Sequence, residues 1–148
     1  MDIKTFKKIV SDFLCSKKII KEGSYYYSYK SDLVIVMGLQ KSNYSKGYYI
    51  NIGYVINQLN TSNKKLRDVD GHVRTRFTVV QHGKKTDFFN LEDFAENDRD
   101  KLNAQLEENF KEYVDQVTSV DKLKRLLHDN PVMLYLTTLA AKQTLGFE

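Results

Sequence analysis

The sequence lacks tryptophan and contains only one proline and one cysteine in 148 residues. The single cysteine, Cys15, cannot close a disulfide within the chain, which favours a reducing compartment such as the cytoplasm. No segment approaches the roughly 18 consecutive apolar residues of a membrane-spanning helix. The N-terminal segment begins with closely spaced lysines and has no apolar signal core. These absences predict a cytoplasmic protein with no membrane-embedded segment.

Several chemical motifs are also absent. The histidines, His72, His82 and His128, have none of the spacings typical of metal ligands. The glycines are scattered, and no glycine-rich loop precedes a predicted helix, which argues against a nucleotide-phosphate loop. No Gly-x-Ser-x-Gly sequence marks a serine nucleophile. We therefore expect no metal site and no cofactor, and we identify no catalytic residue.

The charge of the chain changes sign along its length. Residues 1–90 carry 16 Lys and Arg against 7 Asp and Glu, whereas residues 91–148 carry 7 against 12. We expect one domain over residues 1–148, with a basic helix and sheet (1–90) followed by an acidic helical part (91–148). The asymmetry has two interpretations. Either the two parts complement each other within the fold, or the basic part faces an acidic partner, protein or nucleic acid.

Apolar residues near the N-terminus recur with the period of an α-helix. They predict an amphipathic helix over residues 2–20, ended by Gly23, whose apolar face consists of Phe6, Ile9, Val10, Phe13 and Leu14. Cys15 falls on the apolar side of this helix, and we expect it to be a small buried hydrophobic residue.

A β region follows the first helix. The predicted strands cover residues 24–30, 33–39, 48–56 and 73–79, with a short fifth strand over 86–90. Residues 57–71 are polar and irregular, which predicts a long loop, and residues 82–85 predict a turn.

The period of the apolar residues changes after Leu91. It predicts a long helix over 97–117, a second helix capped by Ser119, and a last helix over 131–145 that begins at Pro131 and ends at Gly146. The strand connections are short, and no crossover helices separate the strands. The predicted fold class is therefore α+β: an N-terminal helix, an antiparallel sheet of four to five strands, and two to three C-terminal helices packed on one face.

The candidate site residues are polar side chains in and beside the strands. Gln40 and Asn51 are amides within strand patterns, and a buried, hydrogen-bonded structural role is one interpretation of both. Arg74 and Arg76 share one face of a strand, where they either face solvent, pair with the acidic helices, or bind a carboxylate or phosphate. If they converge with their neighbours in sequence, they form a basic, hydrogen-bonding patch, and the remaining candidates are Lys41, Ser42 and His72.

Three segments carry a resemblance to a known family. They are Leu-Gln-Lys-Ser at 39–42, Tyr-Tyr-Ile-Asn-Ile-Gly at 48–53, and His-Val-Arg-Thr-Arg at 72–76. Together with the N-terminal helix, they make the chain resemble the bacterial domain-of-unknown-function family numbered 4304 over residues 3–117. The chain departs from that pattern at residues 19–23, where Ile-Ile-Lys-Glu-Gly replaces a Gly-Phe-Lys type of stretch.

The resemblance implies a small bacterial α+β domain without an assigned reaction, and it transfers no catalytic residue. The residues that match the family pattern are Gln40, Lys41, Ser42, Asn51, Gly53, Arg74 and Arg76. Other small stand-alone domains are often immunity proteins, antitoxins or further kinds of binding module, and this analogy suggests the same here.

Three functional hypotheses follow. The first is a non-enzymatic protein-binding module with an acidic partner, for example an immunity-type inhibitor of a toxin. The second is nucleic-acid binding through the basic, tyrosine-rich sheet, whose tyrosines could stack on bases. The third is an enzyme with a site near Gln40, Asn51, Arg74 and Arg76.

Overall fold

The computed structural model describes residues 1–147 of the chain. Its helices and strands confirm the α+β fold class. In chain order they are helix α1 (Ile3–Ser16), strands β1 (Ile20–Glu22), β2 (Tyr25–Tyr29), β3 (Leu33–Lys41), β4 (Gly47–Ile56), β5 (Val73–Arg76), β6 (Val79–Gln81), β7 (Lys84–Thr86) and β8 (Phe89–Asn90), and helices α2 (Arg99–Phe110), α3 (Val120–Asp129) and α4 (Leu139–Leu145).

The main sheet of the described chain is antiparallel and has six strands. Five of them follow chain order from β1 to β5, and β8 pairs with the first residues of β4, beside β5. Strands β3 and β4 are the longest, and they pair from Leu33 opposite Ile56 to Lys41 opposite Tyr48. This register fixes which side chains share a face, because neighbours along a strand point to opposite sides.

The two faces of the sheet are covered differently. The inner face, which includes Ile35 and Ile52, joins one large core with the apolar sides of α1, α2 and α3. The outer face carries a smaller cluster around Tyr27 and Val36, which the loop between β4 and β5 covers. There the Tyr27 hydroxyl donates to the Leu66 carbonyl at 2.5 Å. The irregular β4–β5 loop therefore forms part of the protein surface on the outer side of the sheet.

Helix α1 buries the apolar face predicted from its sequence, but it is shorter than predicted. It ends at Ser16, and a three-residue strand, β1, follows it. Gly23 therefore does not end the helix: it lies in the turn between β1 and β2, where its φ of 61° favours glycine. The prediction that Cys15 is buried is wrong, since Cys15 is exposed. Leu14 ends the buried stripe, and the next residue is rotated about 100° towards solvent.

The predicted strand over residues 73–79 is interrupted. Strand β5 stops at Arg76, and β6 forms a separate hairpin with β7. His82 and Gly83, from the turn predicted over residues 82–85, connect β6 to β7, and both have positive φ. At the interruption, the Asn109 side chain of α2 replaces a strand partner: its Oδ1 accepts the Thr78 N–H at 2.7 Å, and its Nδ2 donates to the Thr78 carbonyl at 2.6 Å.

The C-terminal helices begin close to their predicted positions, but two of them are divided. Helix α2 passes into a π-helical turn over Lys111–Asp115, and α3 is capped by Ser119 as predicted. The predicted helix over 131–145 consists of a 3₁₀ segment, Pro131–Leu136, and then α4. Between these two, Thr137 forms a bridge with Val73. This segment therefore covers part of the outer edge of β5.

No helix within residues 1–147 combines the length and the apolar character that crossing a bilayer requires.

Candidate functional site

Three of the predicted site residues form one hydrogen-bonded chain on the outer face of the sheet. Asn51 in β4 lies opposite Arg76 in β5, and Gln40 is near the end of β3. The Asn51 Nδ2 donates to Gln40 Oε1 at 2.9 Å, and Arg76 Nε donates to Asn51 Oδ1 at 2.9 Å. Gln40 is exposed and Asn51 is half-buried, so the two amides orient the arginine at the protein surface and are not buried residues of the core.

Arg76 is held by several protein groups, and its side chain is 37% exposed. Its Nη1 lies 3.1 Å from the carboxylate of Asp87, which offsets its charge. Its guanidinium carbon stands 4.0 Å from the centroid of the Tyr49 ring, within the range of a cation–π interaction. Its Nε donates to Asn51 and its Nη2 to Gln40 at 3.4 Å, so three of the five N–H donors of the guanidinium have protein partners. Arg76 is therefore mainly a structural element of the site.

Arg74 lies on the same face as Arg76 but in a different environment. It is opposite Gly53 of β4 and is half-buried. Within residues 1–147, no carboxylate lies within 4.0 Å of its guanidinium, and no side-chain hydrogen bond holds it. An arginine presents planar, paired donors that match a carboxylate or a phosphate. The N–H donors of the Arg74 guanidinium are therefore free within the described chain, whereas most of those of Arg76 bond to protein groups.

These residues line a cavity of about 520 Å³, which we call the arginine cavity. This volume is within the range of sites that bind small molecules or parts of a polypeptide. Its polar lining consists of Gln40, Asn51, Asp68, Arg74, Thr75, Arg76, Thr78 and Asp87. The structure therefore brings together Gln40, Asn51, Arg74 and Arg76, as the third hypothesis requires.

The cavity also has an apolar wall. Val132 and Leu136 of the 3₁₀ segment and Val69 of the β4–β5 loop line it, and all three remain exposed, Val132 to 70%. Tyr135 of the same segment and Leu139, just beyond it, are exposed as well. Clusters of exposed large apolar side chains commonly mark interaction sites.

Asp68 contributes a carboxylate that is 7% exposed. It begins a short 3₁₀ turn that rests directly on the sheet: a Cβ atom at Gly53 would lie 2.2 Å from the Asp68 carbonyl oxygen. Its Oδ1 accepts the N–H of Val69 at 2.8 Å. Oδ2 has no donor within residues 1–147, and it is not sealed from solvent. A buried carboxylate oxygen favours a hydrogen-bond donor, so Oδ2 is an acceptor available to a ligand.

The family model described as "Domain of unknown function (DUF4304)" matches residues 19–120. The chain belongs to this family. The family resemblance predicted from the sequence is thereby confirmed. Comparisons with curated proteins and with solved structures return no significant match.

The DUF4304 match includes part of the arginine cavity and excludes another part. It covers the polar residues of the sheet, the turn at Asp68, and Asp87. The apolar wall of the 3₁₀ segment Pro131–Leu136 lies beyond its end.

The other predicted site residues of this DUF4304 domain lie elsewhere. Lys41 lines a different cleft, next to α1. Ser42 stabilises the β3–β4 loop, where its Oγ accepts the N–H groups of Tyr44 and Ser45. His72 accepts the N–H of Ile56 on Nδ1 at 3.0 Å, and burial lowers the pKa of the ring below its ordinary value. In residues 1–147, no group of three or more His, Cys, Asp and Glu side chains is placed to hold a metal ion.

Asp68, Asp87 and the apolar wall are site residues that the sequence analysis does not single out. Asp68 is in an irregular loop, and Asp87 follows a short hairpin, so neither belongs to a periodic pattern. The apolar residues after Pro131 fit the pattern of a helix, so the sequence suggests that they face the core. Several of them are exposed instead.

Proposed function

We propose that this protein is a non-enzymatic binding module that docks an acidic segment of a partner protein in the arginine cavity. The observation that carries the proposal is Arg74, a half-buried guanidinium with no carboxylate partner in residues 1–147, next to an arginine whose partners are all internal. The carboxylate of a partner's Asp or Glu side chain would complete the bonding of Arg74.

A polypeptide also suits the rest of the cavity. Its backbone N–H groups can donate to Asp68 Oδ2, and an apolar side chain next to the acidic residue can pack on Val132 and Leu136. Interfaces between proteins commonly combine an arginine anchor with exposed aliphatic and aromatic side chains. The basic balance of residues 1–90 would favour the approach of such an acidic partner.

The two alternative functions receive less support from the geometry. Base stacking on the outer face would need several open tyrosine rings. Tyr29 is 58% exposed, but Tyr27 is buried beneath the β4–β5 loop and Tyr49 is covered by Arg76. Catalysis at the four converging residues would need free functional groups, whereas Gln40, Asn51 and Arg76 bond mainly to one another. A binding role requires only Arg74, Asp68 and the apolar wall.

A peptide display library tests the proposal before any partner protein is identified. Selection on the full chain should enrich peptides with Asp or Glu next to a large apolar residue. The same peptides should bind Arg74→Gln about 10-fold more weakly, which corresponds to the loss of one charge-assisted pair. Arg74→Lys should restore only part of the affinity, since a lysine cannot bond a carboxylate through two parallel donors.

The matched control is Arg125→Gln, the same change at an exposed arginine of α3. It should leave peptide affinity unchanged within about 2-fold. Enriched peptides without acidic residues, or peptides that bind the Arg74 and Arg125 variants equally well, would show that the arginine cavity is not the docking site.

The small size of the chain and its uneven charge favour one form of this proposal, an immunity-type inhibitor of a toxin. The gene neighbourhood provides a direct check. An adjacent toxin gene whose product binds the wild-type chain and the Arg125→Gln variant, but not Arg74→Gln, would support it. A product that binds all three equally would contradict it.

A further inference from the structure

A second cleft lies on the opposite side of the sheet, between α1 and the ends of β1 and β3. Its volume is about 410 Å³. Lysines from three different elements line it: Lys7 of α1, Lys21 of β1 and Lys41 of β3. We call it the lysine cleft. It shares no lining residue with the arginine cavity.

The three lysines are unpaired within residues 1–147. None of them lies within 4.0 Å of a carboxylate, and no Asp or Glu lines the cleft. Lys7 and Lys21 instead stand over aromatic rings, with Nζ 5.9 Å from the centroid of Tyr48 and 5.7 Å from that of Tyr26. Three like charges repel one another when they converge, so their arrangement is favourable for an anion placed among them.

The two tyrosines supply an independent observation. Tyr26 is 4% exposed and Tyr48 is 3% exposed, so both rings belong to the core. Their hydroxyl groups nevertheless have no hydrogen-bond partner in residues 1–147, and neither hydroxyl is sealed from solvent. Both tyrosines line the cleft, and each hydroxyl has some contact with solvent. A nearly buried hydroxyl usually has a partner, so each of these is a donor available to a ligand.

We propose that the lysine cleft binds a phosphate group carried by a small molecule. A phosphate has several terminal oxygens and up to two negative charges, and it can accept bonds from three ammonium groups and two hydroxyls together. A single carboxylate has two oxygens and one negative charge, so it matches fewer of these donors and less of the positive charge. The volume suits a pyrophosphate or the phosphates of a mononucleotide better than a folded nucleic acid. This proposal does not depend on the arginine cavity.

Titration of the full chain with inorganic pyrophosphate, followed by amide NMR shifts at low salt, tests the proposal. Binding should saturate, and the shifted amides should cluster at α1, β1 and the end of β3. Lys21→Gln and Lys41→Gln should each weaken binding about 5- to 10-fold, because each removes one charge-assisted bond. Tyr48→Phe keeps the ring and removes only the hydroxyl, and it should weaken binding about 3-fold.

Lys84→Gln is the matched control, because Lys84 is an exposed lysine at the start of β7 and does not line the cleft. It should leave the affinity unchanged within about 2-fold. Equal weakening by the control and the cleft variants would show a diffuse charge effect and overturn the proposal. A titration without saturation would overturn it as well. Tight binding of a 12-nucleotide single strand without any binding of pyrophosphate would replace it with a nucleic-acid site.

Discussion

Arg74 and Arg76 are two residues apart on one strand face, yet their roles differ because their neighbours differ. Arg76 has Asn51, Asp87 and Tyr49 as partners, whereas Arg74 has an open cavity. We expect Arg76→Gln to lower the free energy of unfolding by about 1–2 kcal/mol, since it removes an ion pair, a ring contact and a hydrogen bond. Arg74→Gln should change it by less than about 0.5 kcal/mol. Urea denaturation of the two variants measures both values, and equal losses would contradict the assignment of separate roles.

Gly53 provides a second test at the residue scale. A Cβ atom there would collide with the backbone carbonyl of Asp68, which cannot move without shifting the whole turn. Gly53→Ala should therefore cost about 1–3 kcal/mol and should weaken binding at the arginine cavity even though it removes no contact group. Gly83→Ala is the comparison variant. A Cβ atom at Gly83 would meet nothing within 4 Å, so this substitution introduces backbone strain, at a φ of 74°, without a collision. A Gly53 variant with native stability and affinity would contradict the close packing of this turn.

His72 predicts how stability depends on pH. Burial lowers its pKa below the ordinary value of 6.5, partly offset by a hydrogen bond to the Leu59 backbone. As the pH falls, the unfolded chain takes up a proton near pH 6.5, before the folded protein does. The free energy of unfolding should therefore decrease below about pH 6.5 until the lower folded-state pKa is passed.

The variant His72→Asn isolates this effect. The Asn Oδ1 can accept the Ile56 N–H in place of Nδ1, but the side chain does not titrate. Thermal unfolding between pH 7.5 and 5 should show a smaller decrease for His72→Asn than for the wild type. Identical slopes for the two proteins would show that His72 does not govern this range.

At the scale of elements, the β6–β7 hairpin depends on helix α2. Asn109 bonds to the backbone of Thr78 through both its oxygen and its nitrogen, and Gln105, one turn earlier, contacts the backbone of Val80. Replacement of Asn109 by Asp keeps the acceptor and removes the donor, which should cost about 1–3 kcal/mol. Hydrogen exchange should accelerate at residues 78–81 and much less in β3 and β4.

Asn103→Asp provides the control for the hairpin, because it makes the same chemical change on the same helix at a residue whose side chain has no hydrogen bond to the hairpin within residues 1–147. It should leave exchange at residues 78–81 unchanged. If both variants accelerate exchange there equally, the effect belongs to the charge of α2 and not to the bonds of Asn109.

The elements differ in how far their sequence predicts them. The α1 stripe and the β3–β4 pair are set by periodic burial, so their positions follow from the sequence. Strand β1 has three exposed residues and no alternation to detect. The break after Arg76 depends on Asn109, which is 31 residues away from Thr78 and contacts it only in the folded chain.

The residues of the candidate site also differ in how far the sequence predicts them. Gln40, Asn51 and Arg76 are recognisable because polar side chains inside strand patterns are unusual, and Arg74 because it shares their face. Asp68 and Val132 reach the cavity only through the path of the β4–β5 loop and the 3₁₀ segment. Such placement depends on tertiary packing, and no local pattern encodes it.

For the whole molecule, two ion pairs join the basic and acidic parts where α1 meets α2. Lys17 of the basic part lies 2.7 Å from Glu107 of the acidic part, whereas the second pair is reversed, with Arg99 of the acidic part 3.1 Å from Asp12 of the basic part. Hydrogen bonds from Lys8 and Arg99 lower the pKa of Asp12, so its carboxylate stays charged in mild acid. The Lys17–Glu107 pair follows the charge asymmetry of the chain, and both pairs connect the two parts within the fold.

High salt should weaken the ion pairs that join the two parts. We expect the urea midpoint of the wild type to fall between low and high sodium chloride concentrations, because the ion pairs between α1 and α2 are at the surface and are screened. The double variant Asp12→Asn, Glu107→Gln should respond less to salt. An equal response of the two proteins would show that these pairs do not carry the effect.

The bridge between Thr137 and Val73 has a consequence for aggregation. An uncovered strand edge can add a strand from another molecule and so begin an intermolecular sheet. In this chain, the outermost strand on one side, β1, is short and carries Lys21 and Glu22, while on the other side the bridge shields the start of β5. Destabilising the segment after Pro131 would remove that shield, so such variants should form intermolecular sheets during storage before the rest of the fold is lost.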